Sequence, residues 1–258
     1  MYYYIMHVLT FIIGLCLGSF MNVCVYRLPL SKSIVTPRSM CPGCNNFIKF
    51  YDNIPVLSYI FLGGKCRNCN IPISFRYPMV EIISGLAALS CFIKFGLSIE
   101  WLVYFAFASS LIVITFIDID HKIIPDVISL PGIPIGLLLA SFVLPSMNFK
   151  ESIIGILAGG GSLFAVAWTY SLITKKEGMG GGDIKLLAMI GSLTGWKGVL
   201  FTIFIASATG TLAGIAVMLK TKKGVKLAVP FGPFLSIGAI LYILFGTEII
   251  SWYFNMLM

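Results

Sequence analysis

The chain has 258 residues, of which 58% are hydrophobic and 11% charged, with a formal net charge of +8 and a mean hydropathy of +0.97. Soluble domains carry about 25% charged residues, so this composition excludes a soluble enzyme, a secreted disulfide scaffold and a disordered chain. The basic residues lie in short segments between apolar runs, which is typical of cytoplasmic loops and not of a nucleic-acid-binding surface. We therefore predict an all-α, multi-pass helix bundle that lies in the bilayer and binds no nucleic acid.

Eight apolar segments are candidate membrane spans, because a spanning helix needs about 20 mostly apolar residues. In chain order they are approximately 2–26, 79–97, 100–117, 127–145, 152–173, 184–195, 199–219 and 229–256. The segment 184–195 is the shortest of them. The predicted domains are a first span (1–26), a polar insertion (27–78) and a helix bundle (79–258).

Lysine and arginine residues are distributed unequally between the two sides of the predicted membrane. With the N-terminus outside, 15 of the 18 basic residues lie on the cytoplasmic side, and the exceptions are Lys94, Lys150 and Lys197. Cytoplasmic loops carry an excess of basic residues. The sequence therefore predicts that both termini face outward and that residues 27–78 are cytoplasmic.

Four of the seven cysteines form two Cys-x2-Cys pairs in the insertion. Cys41 and Cys44 make the first pair, and Cys66 and Cys69 make the second after a gap of 21 residues. This spacing is typical of four-thiolate zinc sites. Two disulfides are disfavoured because the predicted compartment is reducing, and four unengaged thiols are the other alternative. We predict a structural zinc knuckle whose ion contributes to folding of the insertion.

Four carboxylates lie at the predicted cytoplasmic boundary of the membrane. Asp118, Asp120 and Asp126 lie around the end of the third span, and Asp183 follows the glycine-rich stretch that begins at Gly178. A carboxylate beside hydrocarbon is by default a functional hypothesis, and two adjacent carboxylates share a proton, as acid–base chemistry requires. On these residues alone, a catalytic pair, helix-start carboxylates and an ion-coupling site all remain open.

Several motifs, in their order along the chain, resemble those of bacterial type IV prepilin peptidases. They are Gly18-Ser-Phe-Met-Asn-Val-Cys-Val-Tyr-Arg-Leu-Pro29, the two Cys-x2-Cys pairs, Asp52-Asn-Ile-Pro-Val-Leu-Ser-Tyr59, Arg76-Tyr-Pro-Met-Val-Glu81, the Asp118 segment and Gly-x-Gly-Asp183. The resemblance runs from about residue 14 to 200. It implies an aspartic intramembrane-type protease that cuts the short basic leader of prepilins and pseudopilins at the cytoplasmic membrane face. It also implies methylation of the new N-terminal residue, with S-adenosylmethionine as donor, in pilus, type II secretion or competence systems.

The resemblance also implies roles for individual residues. Asp183 matches the aspartate of the family's Gly-x-Gly-Asp motif, and Asp118 matches its partner because it lies eight residues before Asp126. Asp120 is the alternative partner. Methyl transfer belongs by resemblance to the 27–78 insertion and its zinc, and peptide cleavage to the 79–258 bundle. Glu81 is either a helix-start carboxylate or a contributor to methyl transfer or substrate binding.

Other function classes explain only part of the sequence. An ion-coupled transporter also uses intramembrane carboxylates and glycine-broken helices, but it predicts carboxylates nearer the bilayer centre and has no use for a zinc knuckle. A membrane-anchored zinc adaptor accounts for the cysteines and leaves Asp118 and Asp183 without a role. Within the enzymes, the alternative is an aspartic intramembrane protease that cleaves without methylating.

Overall fold

The computed structural model of the chain describes residues 2–175, 180–221 and 230–257. Within these ranges the protein has helices and two isolated β-bridges but no β-strand. The helices are α1 (Tyr2–Arg27), α2 (Leu57–Phe61), α3 (Arg76–Phe95), α4 (Ile99–His121), α5 (Asp126–Phe142), α6 (Phe149–Thr174), α7 (Gly181–Thr221) and α8 (Gly232–Leu257). The prediction of an all-α bundle is confirmed. Lys176, Gly178, Lys222, Lys223 and Lys226, on which parts of the orientation and glycine arguments rest, lie outside the described residues.

The number of membrane-length helices differs from the prediction of about eight. In the described part of the chain, six helices are long and apolar enough to cross a membrane: α1, α3, α4, α6, α7 and α8. The predicted fourth span is α5, which has only 17 residues. The predicted sixth and seventh spans are joined in the 41-residue α7. The apolar segments were located correctly, but their lengths and junctions were not.

α7 is interrupted at Gly195, where φ is +66° and ψ is −176°. Only glycine adopts this backbone conformation without strain. Residues 191 and 199 would lie about 12 Å apart along a straight helix, yet a Cβ at Gly191 would lie 3.0 Å from Cγ2 of Val199. The chain therefore turns back on itself at Gly195. Two apolar helical segments follow each other there, as predicted, without a loop between them.

The chain forms two compact units, Met1–Val113 and Ile114–Met258. In the first unit, α1 packs on α3 through small residues. A Cβ at Gly14 would lie 2.7 Å from Cα of Gly85, and Ser84 donates a 2.7 Å hydrogen bond to the carbonyl of Gly14. Small residues and interhelical hydrogen bonds of this kind drive helix association in lipid.

In the second unit, the same kind of packing brings α6 and α5 against α7. A Cβ at Gly155 would lie 2.1 Å from the carbonyl oxygen of Gly191, and one at Gly159 would lie 2.4 Å from that of Leu187. Ser152 donates a 2.7 Å hydrogen bond from α6 to the carbonyl of Ser192 in α7. The N-terminal segment of α7 is consequently the most buried part of the unit, with Leu186, Leu187 and Ile190 fully enclosed.

We expect Gly155→Ala to destabilise the bundle, because its methyl group would collide with the backbone of α7. Overpacking of this kind costs about 1–3 kcal/mol. The measurement is the thermal unfolding midpoint of purified protein in detergent. Gly161→Ala, in the same helix with open space around its Cβ position, is the matched control and should unfold at or above the wild-type midpoint. Equal midpoints for the two variants would contradict the close approach of α6 to α7.

Candidate functional site

Two of the predicted carboxylates come together at helix ends in the second unit. Asp118 lies in the last turn of α4, and Asp183 lies in the first turn of α7. They are near enough for the charge of Asp118 to act on Asp183. Asp118 is only 5% exposed, and Asp183 is half-buried. Like charges that act on each other disfavour ionisation of both groups, so the pair is suited to have one carboxyl group protonated while the other is ionised.

A backbone N–H group from the start of α8 fixes the buried member of this pair. The N–H of Gly232 donates a 2.9 Å hydrogen bond to Oδ2 of Asp118. A Cβ at position 232 would lie 2.7 Å from that oxygen, so only glycine allows the approach. Sequence reasoning missed Gly232. The available signal was the segment Pro230-Phe-Gly-Pro-Phe234 immediately before an apolar run, because proline and glycine together mark a helix start with special backbone geometry.

The segment that follows Asp118 is held against the start of α7. A Cβ at Gly182 would lie 3.0 Å from Cβ of Ile124, so glycine permits close approach there. Asp126 accepts hydrogen bonds of 2.7 and 2.9 Å from Nζ of Lys185, which joins the first turn of α5 to α7. Asp126 is therefore an ion-pair partner and not the second member of the carboxylate pair.

The alternative partner, Asp120, differs from Asp118 in its exposure. Its side chain is exposed, as is that of His121, whereas Asp118 two residues earlier is buried. Residues two apart on a helix point in different directions, which accounts for the contrast. The structure thus brings Asp118, and not Asp120, to Asp183.

The four predicted zinc ligands form a cluster in the first unit. The sulfur atoms of Cys41, Cys44, Cys66 and Cys69 all lie within 4.8 Å of one another, and those of Cys41 and Cys69 are 3.6 Å apart. Four thiolates around one zinc ion at about 2.3 Å have sulfur atoms about 3.8 Å apart, so the cluster fits the ion. Hydrogen bonds from the backbone N–H groups of Cys69 and Asn68 lower the pKa of the Cys66 thiol to about 6. Despite a hydrogen bond from the N–H of Ile71, burial and the neighbouring cysteines raise the pKa of the Cys69 thiol to about 12. The thiolate is the form that binds metal.

Each cysteine pair lies in the same kind of turn. In the first turn, the N–H of Asn45 donates to the carbonyl of Cys41; in the second, the N–H of Asn70 donates to that of Cys66. Asn45 and Asn70 have φ of +56° and +57°, a left-handed conformation that asparagine tolerates better than most residues. A β-bridge closes each turn, Met40 with Phe47 and Lys65 with Pro72. The asparagine after each pair was a sequence signal that the spacing argument did not use.

Glu81 connects the insertion to the helices of the first unit. Its carboxylate accepts a 2.7 Å hydrogen bond from the N–H of Val56 and forms another with Ser19 of α1. α3 begins at Arg76, five residues earlier, so the interpretation of Glu81 as a helix-start carboxylate is wrong. Val56 has φ of +60°, an uncommon conformation for a β-branched residue, and the buried carboxylate holds it there.

Asp52 is engaged in a second polar contact of the insertion. Its carboxylate accepts hydrogen bonds of 2.6–3.1 Å from the guanidinium group of Arg67. Arg67 lies in the chain between the two cysteines of the second pair. This guanidinium lowers the pKa of Asp52 below its ordinary value. The ion pair links the segment that leads into α2 to the second cysteine turn.

Comparison with known proteins assigns both parts of the chain to one kind of enzyme. A family model described as Bacterial Peptidase A24 N-terminal domain matches residues 12–95, and one described as Type IV leader peptidase family matches residues 105–215. The first range contains the cysteine cluster and Glu81, and the second contains Asp118 and Asp183. No solved structure matches the chain.

Three similar curated proteins carry the name prepilin leader peptidase/N-methyltransferase. The protein of Myxococcus xanthus is 39% identical over 214 residues, which cover 83% of this chain and 64% of that protein. The protein of Pseudomonas putida is 35% identical over 263 residues, covering 93% of this chain and 91% of that protein. The protein of Pseudomonas aeruginosa is 34% identical over 267 residues, covering 95% and 92%.

Proposed function

Because this chain belongs to the type IV leader peptidase family, we propose that it cleaves the basic leader of type IV prepilins and pseudopilins and methylates the new N-terminus. Relatives that it matches over more than nine-tenths of their length are named for both activities. The observation that carries the proposal is the pairing of Asp118 with Asp183 at the ends of two helices. The chain is a multi-pass protein of the bacterial inner membrane, where such substrates keep their apolar helix in the bilayer.

We assign the general base to Asp118 and the general acid to Asp183. The N–H of Gly232 stabilises negative charge on Asp118, which therefore takes a proton from a water molecule. The water oxygen attacks the scissile carbonyl carbon, and Asp183 donates its proton to the carbonyl oxygen. As the carbon–nitrogen bond breaks, its electron pair passes to nitrogen, which takes the proton held by Asp118. The hydroxyl proton of the collapsing intermediate returns to Asp183, so both carboxyl groups regain their initial states.

In this proposal the scissile bond of a prepilin binds at the carboxylate pair. The leader is basic and polar, while the segment after the cut is apolar and remains in lipid. The site must therefore admit water and also contact an apolar helix. A carboxylate pair at helix ends does both, because water reaches the half-buried Asp183 while the adjoining helices provide an apolar surface. A transporter would place such groups nearer the bilayer centre.

We expect Asp118→Asn and Asp183→Asn each to abolish leader cleavage. Neither amide can take up and return a proton in this cycle. Residues that act as a unit have non-additive effects, so the double variant should be no worse than either single one. The measurement is cleavage of a purified prepilin at matched enzyme concentration.

Asp120→Asn is the matched control for this experiment, because it removes one carboxylate two residues from Asp118 on the exposed side of α4. It should retain most of the wild-type cleavage rate. An inactive Asp120→Asn together with an active Asp118→Asn would show that the partner is wrongly assigned. Normal cleavage by Asp183→Asn would refute the aspartic mechanism itself.

Methyl transfer is the second activity in the proposal. S-adenosylmethionine supplies the methyl group, whose bond to sulfur breaks with its electron pair left on sulfur as the amine nitrogen attacks. The amine must first lose a proton, which passes to solvent. The insertion 27–78 and the helices that hold it carry this activity in the proposal, separately from the carboxylate pair.

We propose that the insertion binds one zinc ion through Cys41, Cys44, Cys66 and Cys69. Metal analysis of purified protein should find about one zinc per chain, since four thiolates saturate a tetrahedral ion. Cys66→Ser should lose the metal and make the insertion susceptible to proteolysis. It should leave the helices folded, because they are stabilised by packing in lipid and not by the ion.

Cys16→Ser is the control for zinc content, since Cys16 is an exposed thiol of α1 outside the cluster. It should bind as much zinc as the wild type. Wild-type protein without zinc and with four freely titratable thiols in the insertion would contradict the metal assignment.

We propose that both termini face outward and that the insertion is cytoplasmic, from the distribution of basic residues. In intact cells, a membrane-impermeant maleimide should label Lys150→Cys and leave Lys49→Cys unlabelled. Wild-type protein measures the background from its own cysteines. Labelling of position 49 from outside would reverse the orientation and remove the argument that the cysteine cluster lies in a reducing compartment.

A further inference from the structure

The start of α7 carries Asp183 on backbone that is only loosely packed. In the described part of the chain, a Cβ at Gly180 or Gly181 would meet no atom within 4 Å, and both glycines are exposed. Fully buried residues of α7 begin after Asp183, with Leu186 and Leu187. Glycine also has more backbone freedom than any other residue. The packing of the bundle therefore fixes Asp183 less firmly than the residues that follow it.

The segment between α4 and α5 lies against this first turn of α7. The N–H of Lys122 donates a 2.9 Å hydrogen bond to the carbonyl of Asp118, which ties the segment to the end of α4. α5 begins four residues later, at Asp126. Between them, Ile124 approaches Gly182 of α7 closely. A short segment thus connects the buried carboxylate to Asp126.

The ion pair of Asp126 with Lys185 joins this segment to α7. Both carboxylate oxygens of Asp126 accept hydrogen bonds from Nζ of Lys185, at 2.7 and 2.9 Å. Asp126 lies eight residues after Asp118, and Lys185 lies two residues after Asp183. The side chains of Lys185 and Asp126 are 35% and 55% exposed, and an ion pair so exposed contributes little to folding stability. What it can determine is the relative position of the two segments that it joins.

We propose that Asp126 and Lys185 are positioning residues, whose ion pair sets the separation of Asp118 from Asp183. The inference rests on the proposed aspartic peptidase activity, in which a water molecule and the scissile carbonyl bind between the two carboxyl groups. Proton transfer needs heavy atoms about 2.6–3.2 Å apart, and a misplacement of about 1 Å can lower a rate about 10²-fold. An ion pair two residues from Asp183 limits such a displacement of the first turn of α7.

The rival role for Asp126 is to bind a basic residue of the prepilin leader. The observations favour positioning, because Lys185 already occupies both carboxylate oxygens. A leader cation would have to displace an ammonium group of the same chain, whose effective concentration is high. The two roles affect different kinetic constants, since lost positioning lowers kcat and a lost leader contact raises KM.

The experiment measures kcat and KM for cleavage of a purified prepilin by the full-length enzyme in detergent. Asp126→Asn and Lys185→Gln should each lower kcat about tenfold and leave KM unchanged, because the packing of α5 on α7 remains and limits the displacement. Since both changes break the same ion pair, the double variant should be no slower than either single one. Lys185→Arg keeps the ion pair and should retain most of the wild-type kcat.

Asp120→Asn and Lys220→Gln are the matched controls, since they remove an exposed charge from the end of α4 and from the other end of α7. Both should keep most of the wild-type kcat. The thermal unfolding midpoints of the ion-pair variants should equal that of the wild type, because the exposed pair adds little stability. A midpoint that falls together with kcat would assign the pair to the stability of the fold and contradict positioning.

The kinetic outcomes separate this inference from the proposed function. Normal kcat in both Asp126→Asn and Lys185→Gln, beside an inactive Asp118→Asn, would overturn the inference and leave the peptidase proposal standing. A raised KM with unchanged kcat in Asp126→Asn would also overturn it and assign Asp126 to the leader. Additive losses in the double variant would contradict a shared role of the two residues. Wild-type enzyme that cleaves no prepilin would instead refute the proposed function itself.

Discussion

Close approach of helix backbones at small residues is the interaction on which the rest of this structure depends. Lipid chains are as apolar as leucine, so burial of apolar side chains does little to hold these helices together. The helices instead meet at Gly14 and Gly85 in one unit and at Gly155 and Gly191 in the other, where no Cβ would fit. Hydroxyl groups of Ser84 and Ser152 then bond carbonyls of the neighbouring helix. The short distances set by this packing bring polar side chains at the helix ends within reach of one another.

The polar chemistry of the chain is concentrated at those helix ends. Asp118 closes α4, Asp183 opens α7, and Gly232 opens α8, so three helix termini converge on one carboxylate pair. A carboxylate within the hydrocarbon region is expensive, whereas one at a helix end is close to water and to free backbone N–H groups. The N–H of Gly232, which has no partner within its own helix, is used in this way on Asp118. The first N–H group of α8 thus gives Asp118 the hydrogen bond that a side-chain donor would give it in a soluble enzyme.

The sequence predicted the composition of both candidate sites better than the junctions between helices. The spacing of the four cysteines and the Gly-x-Gly-Asp motif are local patterns, so they could be read without knowing the fold. Gly195 could not be interpreted in this way, because a glycine in an apolar run predicts close packing and a chain reversal equally well, and only its φ of +66° separates them. Gly232 was missed for a related reason. Its function depends on a hydrogen bond to a residue 114 positions earlier, which no local pattern encodes.

The insertion has too few buried apolar residues to be stable by packing alone, and its polar interactions show how it is held instead. Within 27–78, Cys41 and Pro78 are the buried apolar side chains, while Phe50 and Phe61 are about 80% exposed. Small domains of this kind usually depend on a metal or on covalent ties. Here the two cysteine turns bring four thiols together. Arg27 of α1 and Glu81 of α3 form hydrogen bonds with backbone groups near the start and in the middle of the insertion. Both residues are buried. Arg27 donates hydrogen bonds to backbone carbonyls of the insertion, and Glu81 accepts one from a backbone N–H group. The insertion can therefore be held in place without a hydrophobic core of its own, because buried polar side chains of α1 and α3 form hydrogen bonds with its backbone.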